Sequence, residues 1–383
     1  MRWTRAAALC ATFAAGTAHA QTAERYSLQG FGGWAFADLS QDGRWAEAAT
    51  QAGEYNNYSF SLNLAAQPAE KLQIRSQAFW GQNLRGQRIS LDYAFAQYTV
   101  APEFRVRAGK SLTPFGLYSE IYDVGTLRPF YYLPQFYQGR LGLIPKAYLG
   151  AGITGTKGLG SAWEVGYDLF GGEMQFEEFT MARLTGVDPE TRLPVIAETD
   201  ARLSGRRMIG GRVLFGLPAR GFDVGGGVIH IAEVTRLTPE GARVPFTTGP
   251  TATFLNGRVQ YQRGPFAARA EVFQALTDQA DVPSWYVEVS RRLGKRFQVA
   301  AQYEKTDLHL LPGDNTVPPP MRDHESIGAA LNFWFSPEFV LKLNVYRVEG
   351  NLLNRPPGSI VKYLTGTLPY TSNVFVVGTQ FSF

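Results

Sequence analysis

From Gln21 onward, apolar and polar positions alternate in segments of roughly ten residues, the period-two signature of β-strands with two unlike faces. Tyr58, Phe60, Leu62 and Leu64 share one face of such a segment, and Ser59, Ser61 and Asn63 share the other. In the next, Leu72, Ile74, Ala78 and Trp80 oppose Gln73, Arg75 and Gln77, and in the following one Ile89, Leu91, Tyr93 and Phe95 read as a single apolar face. The pattern recurs through Trp163-Val165-Tyr167-Leu169, Phe266-Ala268-Ala270-Val272, Phe297-Val299-Ala301-Tyr303 and Phe339-Leu341-Leu343-Val345. It ends in Phe375, Val377, Phe381 and Phe383, with Thr379 interrupting the apolar set. Helical periodicity is nearly absent, and about sixteen alternating segments follow one another.

The connections alternate as well. Short turns fall at Gln67 to Glu70, Ala101 to Glu103, Leu159 to Ser161, Pro218 to Gly221, Arg263 to Pro265, Gly294-Lys295 and Ser336 to Glu338. Between them lie longer polar or proline-rich stretches, among them Asp38 to Glu54, Glu173 to Gly205, Val234 to Pro250, Asp307 to Asp323 and Gly350 to Ser372. One end of short turns and one of long loops is the asymmetry of a membrane β-barrel, whereas a soluble sandwich has none. Nearly every strand also carries Arg, Glu, Gln or Asn on its second face. A wide closed sheet with its apolar face toward lipid and its polar face toward water satisfies both faces. The expected fold is a closed antiparallel transmembrane β-barrel of about sixteen strands, both ends of the chain on the short-turn, periplasmic side. Phe222 to Val234 mixes its faces, and Glu173 to Gly205 has room for an extra hairpin.

Composition narrows this further. Residues 1–20 carry Arg2 and Arg5, an apolar run and Ala18-His19-Ala20, which reads as an export signal cleaved after Ala20, leaving residues 21–383 as the barrel. The one cysteine, Cys10, lies within that signal, so the mature chain has no disulfide framework or thiolate metal site. The full chain has 37 Lys and Arg against 33 Asp and Glu, a formal net charge of +4. Half of that excess leaves with the signal, a balance that speaks against nucleic acid as a partner. No cofactor is implied.

One stretch breaks the pattern. Phe104 to Lys146 begins as a strand, with Arg105 and Arg107 on one face, and passes at Thr113-Pro114 into a loop rich in Phe and Tyr. A connection this long is functional or disordered, and one this aromatic packs inside something.

The ending VFVVGTQFSF resembles the last strand of outer-membrane β-barrels of Gram-negative bacteria. That likeness implies that Phe381 and Phe383 form the signal read by the barrel-assembly machinery, and that the chain sits in outer-membrane lipid. The stretch GKSLTPFGLYSEIYDVGTLRPFYYLP resembles porin-like proteins of proteobacteria, carried by Gly109, Lys110, Pro114, Phe115, Gly116, Leu117, Tyr118, Glu120, Asp123, Arg128 and Pro129. In sixteen-stranded porins the third outer loop folds into the lumen, and the long loop here is the third. The resemblance therefore implies a pore constriction at Lys110, Glu120, Asp123, Arg128 and Arg140, and passive diffusion of small polar solutes in a homotrimer. Strand parity sets Arg75, Arg105 and Arg107 on the lumen face of nearby strands, where the field of clustered arginines gives the expected mild preference for anions. Parity adds Arg212, Arg258, Arg269, Arg292 and Lys342 to the lumen face, with Asp92, Glu164, Asp168, Glu271, Glu288 and Glu304 against them, either as field or as cross-strand pairs.

Two other signals lead elsewhere. Gly150-Ala-Gly152-Ile-Thr-Gly155 matches a dinucleotide fingerprint but precedes a strand, where that fingerprint needs a helix; glycines here instead let the inward loop approach the wall. His309 and His324 share one long loop with Asp307, Asp314 and Asp323, the raw material of a barrel hydrolase or a metal site, but no accompanying nucleophile motif completes them. The expectation is a non-enzymatic channel, with an adhesive barrel of plugged lumen and a hydrolase as the alternatives.

Overall fold

The computed structural model describes residues 25–39, 54–83, 86–137, 146–160, 163–176, 179–187, 194–217, 221–237, 243–245, 251–278, 280–310, 319–353, 362–363 and 365–383. Residues 1–20, read above as an export signal, and Arg140 and Asp314 lie outside them. Sixteen antiparallel strands form the barrel. They are β1 (Tyr26–Leu39), β2 (Glu54–Ala69), β3 (Leu72–Asn83), β4 (Gly86–Ala101), β5 (Phe104–Leu112), β6 (Ala147–Leu159), β7 (Trp163–Gln175) and β8 (Pro194–Gly216). The second half comprises β9 (Phe222–Leu237), β10 (Ala252–Arg263), β11 (Phe266–Thr277), β12 (Ala280–Leu293), β13 (Phe297–Asp307), β14 (Asp323–Ser336), β15 (Phe339–Glu349) and β16 (Thr371–Ser382). Each strand pairs with the next, and β1 closes the sheet on β16 from Phe31↔Ser382 to Leu39↔Val374. At the seam Phe383 and Gly30 exchange both backbone hydrogen bonds, at 2.8 and 3.0 Å. Closure gives each of the sixteen barrel strands a partner on both sides, which is what a backbone in hydrocarbon requires.

The polarity is inverted as the alternation predicts. Ile74, Trp80, Leu169, Val272, Trp285, Ile327 and Phe375 are exposed on the outer surface, while Gln77, Arg105, Asp168, Glu271, Glu288, Asn332 and Lys342 are buried inside. The room for an extra hairpin is used: Phe179–Val187 pairs with the outer part of β8, from Val187↔Pro194 to Phe179↔Ala201.

One inside–outside reading changes. Tyr93 and Phe95 do not continue the lipid face of Ile89 and Leu91, because a register shift places Gln77 opposite Tyr93 and Ala78 opposite Leu91. The extra residue is a β-bulge at Asp92. It turns Tyr93 inward, where its hydroxyl donates to Asn63 Oδ1 at 2.8 Å. The mixed faces of β9 have a different cause: Ile229 and Ile231 are apolar and fully buried because they face packed aromatics inside the barrel, while His230 points outward.

Candidate functional site

The segment between β5 and β6 is pinched at its root, where Thr113 N donates to Lys146 O at 3.0 Å. From there it folds into the lumen. Gly116 makes the first bend at φ +88°, a conformation side chains resist, and a Cβ there would strike the Tyr137 hydroxyl. Two apolar clusters hold the loop. Phe115, Tyr118, Leu133, Phe136 and Tyr137 pack with Phe170, Met208, Ile229, Phe254, Phe273 and Tyr286 on β7 to β12. Phe130, Tyr131 and Tyr132 pack with Ala35, Ala330, Tyr346, Val348 and Val376 on β1 and β14 to β16. Burial of these large rings supplies most of the seating energy, at roughly 1.5–3 kcal/mol for each.

Polar anchors fix where the loop lies. On β11, Glu271 accepts from the Tyr137 hydroxyl at 2.6 Å and from Leu117 N at 3.2 Å. On β12, Glu288 accepts from the Tyr118 hydroxyl at 2.7 Å and from Arg269 Nη1 at 2.7 Å. On β13, Glu304 accepts from Gln135 N at 2.8 Å, with His324 Nε2 3.3 Å away. Lys342 on β15, fully buried, donates to the carbonyls of Gly125, Arg128 and Phe130 at 2.8, 2.6 and 3.1 Å.

The two acidic loop candidates reach other walls, and each meets a cation. Glu120 pairs with Arg212 on β8 at 2.9 Å, and Arg212 also holds Asp168 at 2.7 Å. That guanidinium brings the Glu120 carboxyl down to about 2, against the opposing pull of burial. Asp123 pairs at 2.7 Å with Lys146, which also pairs with Asp92 on β4 at 2.8 Å. Burial works against the Lys146 charge, but the two carboxylates prevail and raise its pKa.

On the near wall, Arg75, Arg105 and Arg107 stand on the inner face of β3 and β5 as parity predicts. Arg107 Nε donates to Gln97 Oε1 at 2.7 Å and its guanidinium lies 5.4 Å from the Phe95 ring. Arg75 Nε donates to Gln73 Oε1 at 3.0 Å. Arg105 sits in register between Thr99 and Thr154.

Two sequence candidates fall elsewhere. Lys110 shares the outward parity of Val106 and Ala108 and donates to Leu91 O at 2.5 Å, so it does not join the inner arginines. Arg128 is buried between loop and wall, only 7% exposed, and does not line open lumen. Among the described residues, the wall glycines the loop rests against are Gly33, Gly227, Gly328 and Gly378; Gly150 and Gly152 instead sit close to the backbone of β7. His324 is buried beside Glu304, and His309 is exposed on a short outer strand. Phe381 and Phe383 share the outward face of β16, their rings each 6.4 Å from Phe60. Lys146 was not singled out by the sequence reading, though a lysine ending an aromatic loop that holds an aspartate was its visible signal. The bonds from Glu271, Glu288 and Glu304 to the loop had no such signal.

Comparison with solved structures finds the same architecture. An anion-selective porin from Comamonas acidovorans matches over 94% of this chain and 99% of its own, with TM-score 0.56 and 12% identity. The outer membrane channel DcaP of Acinetobacter baumannii matches over 94% and 97%, at 0.52 and 8%. The trimer form of OmpT, an outer membrane protein of Vibrio cholerae, matches over 94% and 100%, at 0.51 and 9%. No family model matches the sequence, and no curated protein does. At such identities the likeness is one of fold, and the fold is the sixteen-stranded barrel of outer-membrane porins.

Proposed function

We propose that this chain is an outer-membrane diffusion channel for small hydrophilic solutes, with a mild preference for anions, delivered by a cleaved export signal in residues 1–20. The observation that carries the sign of the preference is how the charges are committed. Both loop carboxylates are held in ion pairs, Glu120 by an Arg212 it shares with Asp168 and Asp123 by a Lys146 it shares with Asp92, while Arg75, Arg105 and Arg107 are near enough on the wall to act on one another. A row of guanidinium groups in confined water lowers the energy of a passing anion and raises that of a cation. In this reading the barrels assemble in threes, which the likeness of fold to a trimeric outer membrane protein supports, and Phe381 and Phe383 serve as the assembly signal.

The test is the reversal potential across a planar bilayer in a salt gradient. The wild type is expected to favour anions, and Arg105→Ala combined with Arg107→Ala to bring the permeability ratio toward unity. A cation-selective wild type or an unchanged ratio would remove the arginine wall as the selectivity element. The extent of the loop's contacts favours one other reading, a barrel stoppered for adhesion, and absence of any conductance would select it.

A further inference from the structure

The β-bulge at Asp92 turns a second ring inward besides Tyr93. Without the register shift, Phe95 would stand in lipid with Ile89 and Leu91; with it, Phe95 lies on the lumen face beside its register partner Arg75 on β3. Bulges re-aim side chains, often next to functional sites. The other rings inside the barrel seat the loop, but Phe95 belongs to neither of the two clusters that do so, and it stays partly exposed. Its ring centroid is 5.8 Å from that of Tyr93.

Arg107 completes the corner. Its Nε is taken by Gln97, and its guanidinium lies 5.4 Å from the Phe95 ring. Among the described residues it forms no ion pair, and it too is partly exposed. The loop faces this corner across the narrowed lumen: Glu120 lies within the electrostatic reach of Arg107, and Asp123 within that of the Tyr93 hydroxyl. Both carboxylates are already held, by Arg212 and by Lys146. The two terminal nitrogens of Arg107 are therefore left for an anion brought by the solute, and a planar guanidinium matches two carboxylate oxygens at once.

We propose that the corner of Phe95 and Arg107, with Arg75 beside them, is a binding station for aromatic carboxylates passing through the pore, benzoate being the simplest. The carboxylate pairs with the terminal nitrogens of Arg107, and the ring of the solute packs on Phe95 in an offset or edge contact. Both side chains meet lumen water, so the station needs no closed cavity. It rests on the channel reading and adds a substrate class, ringed acids ahead of acids that offer a carboxylate alone.

Benzoate and acetate, both ionised at neutral pH, are the probes. Each is titrated against the single-channel conductance of the full chain in fixed potassium chloride. Benzoate should reduce the conductance half-maximally at a concentration about fivefold lower than acetate. Phe95→Leu should erase that advantage, Phe95→Trp should keep it, and Arg107→Gln should weaken both acids. If Phe95 serves only to support Arg107, Phe95→Leu weakens both acids by the same factor and the ratio survives. That result overturns the station, as does a wild type that does not distinguish the two acids, and either is compatible with an anion-selective channel. A barrel that passes no current refutes the channel reading instead. The corner is then tested alone by saturation-transfer NMR of benzoate on the detergent-solubilised chain: a signal lost in Phe95→Leu and Arg107→Gln supports the station, and one equal in all three overturns it.

Discussion

Glu120 and Asp123 lie three residues apart on the loop yet fasten it to different walls, Glu120 to Arg212 on β8 and Asp123 through Lys146 to Asp92 on β4. Glu120 supplies a pH signature with a definite sign. Its folded pKa of about 2 lies below the unfolded value of about 4.3. Its contribution to stability is therefore present above that unfolded value and lost as pH falls from there through about 2. The side chain is half-exposed to lumen water, so screening holds the contribution to roughly 1 kcal/mol. The stability difference between wild type and Glu120→Gln should be constant from neutral pH to about 5 and vanish toward about 2. A difference that ignores pH would mean the Arg212 pair contributes nothing. At this scale the sequence was a good guide to which way side chains face, because the strand period of two is set by the pleat. It failed at Asp92, where a bulge shifts the parity, and at Arg128, where a charged residue is turned into packing by the course of the loop around it.

The inward loop acts as one element, and its position depends on a few small residues beneath it. Gly378 on β16 is such a place: a Cβ there would come within 2.6 Å of Tyr131 Cδ2 and 2.9 Å of Trp34 O. Gly378→Ala is expected to cost about 1–3 kcal/mol by overpacking and to lift Tyr131 from the wall. Single-channel recording should then show larger conductance and more open-channel noise. Wild-type conductance and an unchanged unfolding midpoint would show that the ring does not bear on that strand. The entry of this loop into the lumen was legible in its aromatic content and its length. Its placement against β11 to β16 was not, because that rests on contacts between residues far apart in the chain, such as Tyr137 with Glu271 and Tyr118 with Glu288. Local patterning carries no record of such pairs. The hairpin Phe179–Val187 lies between these cases, foreseen as spare length but without its register.

For the whole molecule, closure of β1 on β16 decides how the interior is arranged. Strand identity, lipid-facing surface and loop asymmetry could all be read from the chain because each repeats along it. The seating of the loop belongs to the closed object. The loop spans residues 113–146, yet the bonds that hold it down run to partners as late as Asn344 and Ser382. At the moment the loop is made, most of its wall does not exist. During assembly, then, the hydroxyls of Tyr118 and Tyr137 have no glutamates to meet until the final third of the chain has paired. The narrowing of the pore should be the last event of folding, later than the formation of strands and the gain of heat-resistant mobility on gels. In refolding experiments, protection of residues 113–137 from proteolysis should trail both signals, and a loop protected before β16 has paired would refute that sequence. A nascent barrel is on this account wide open, and becomes selective only when its tail arrives.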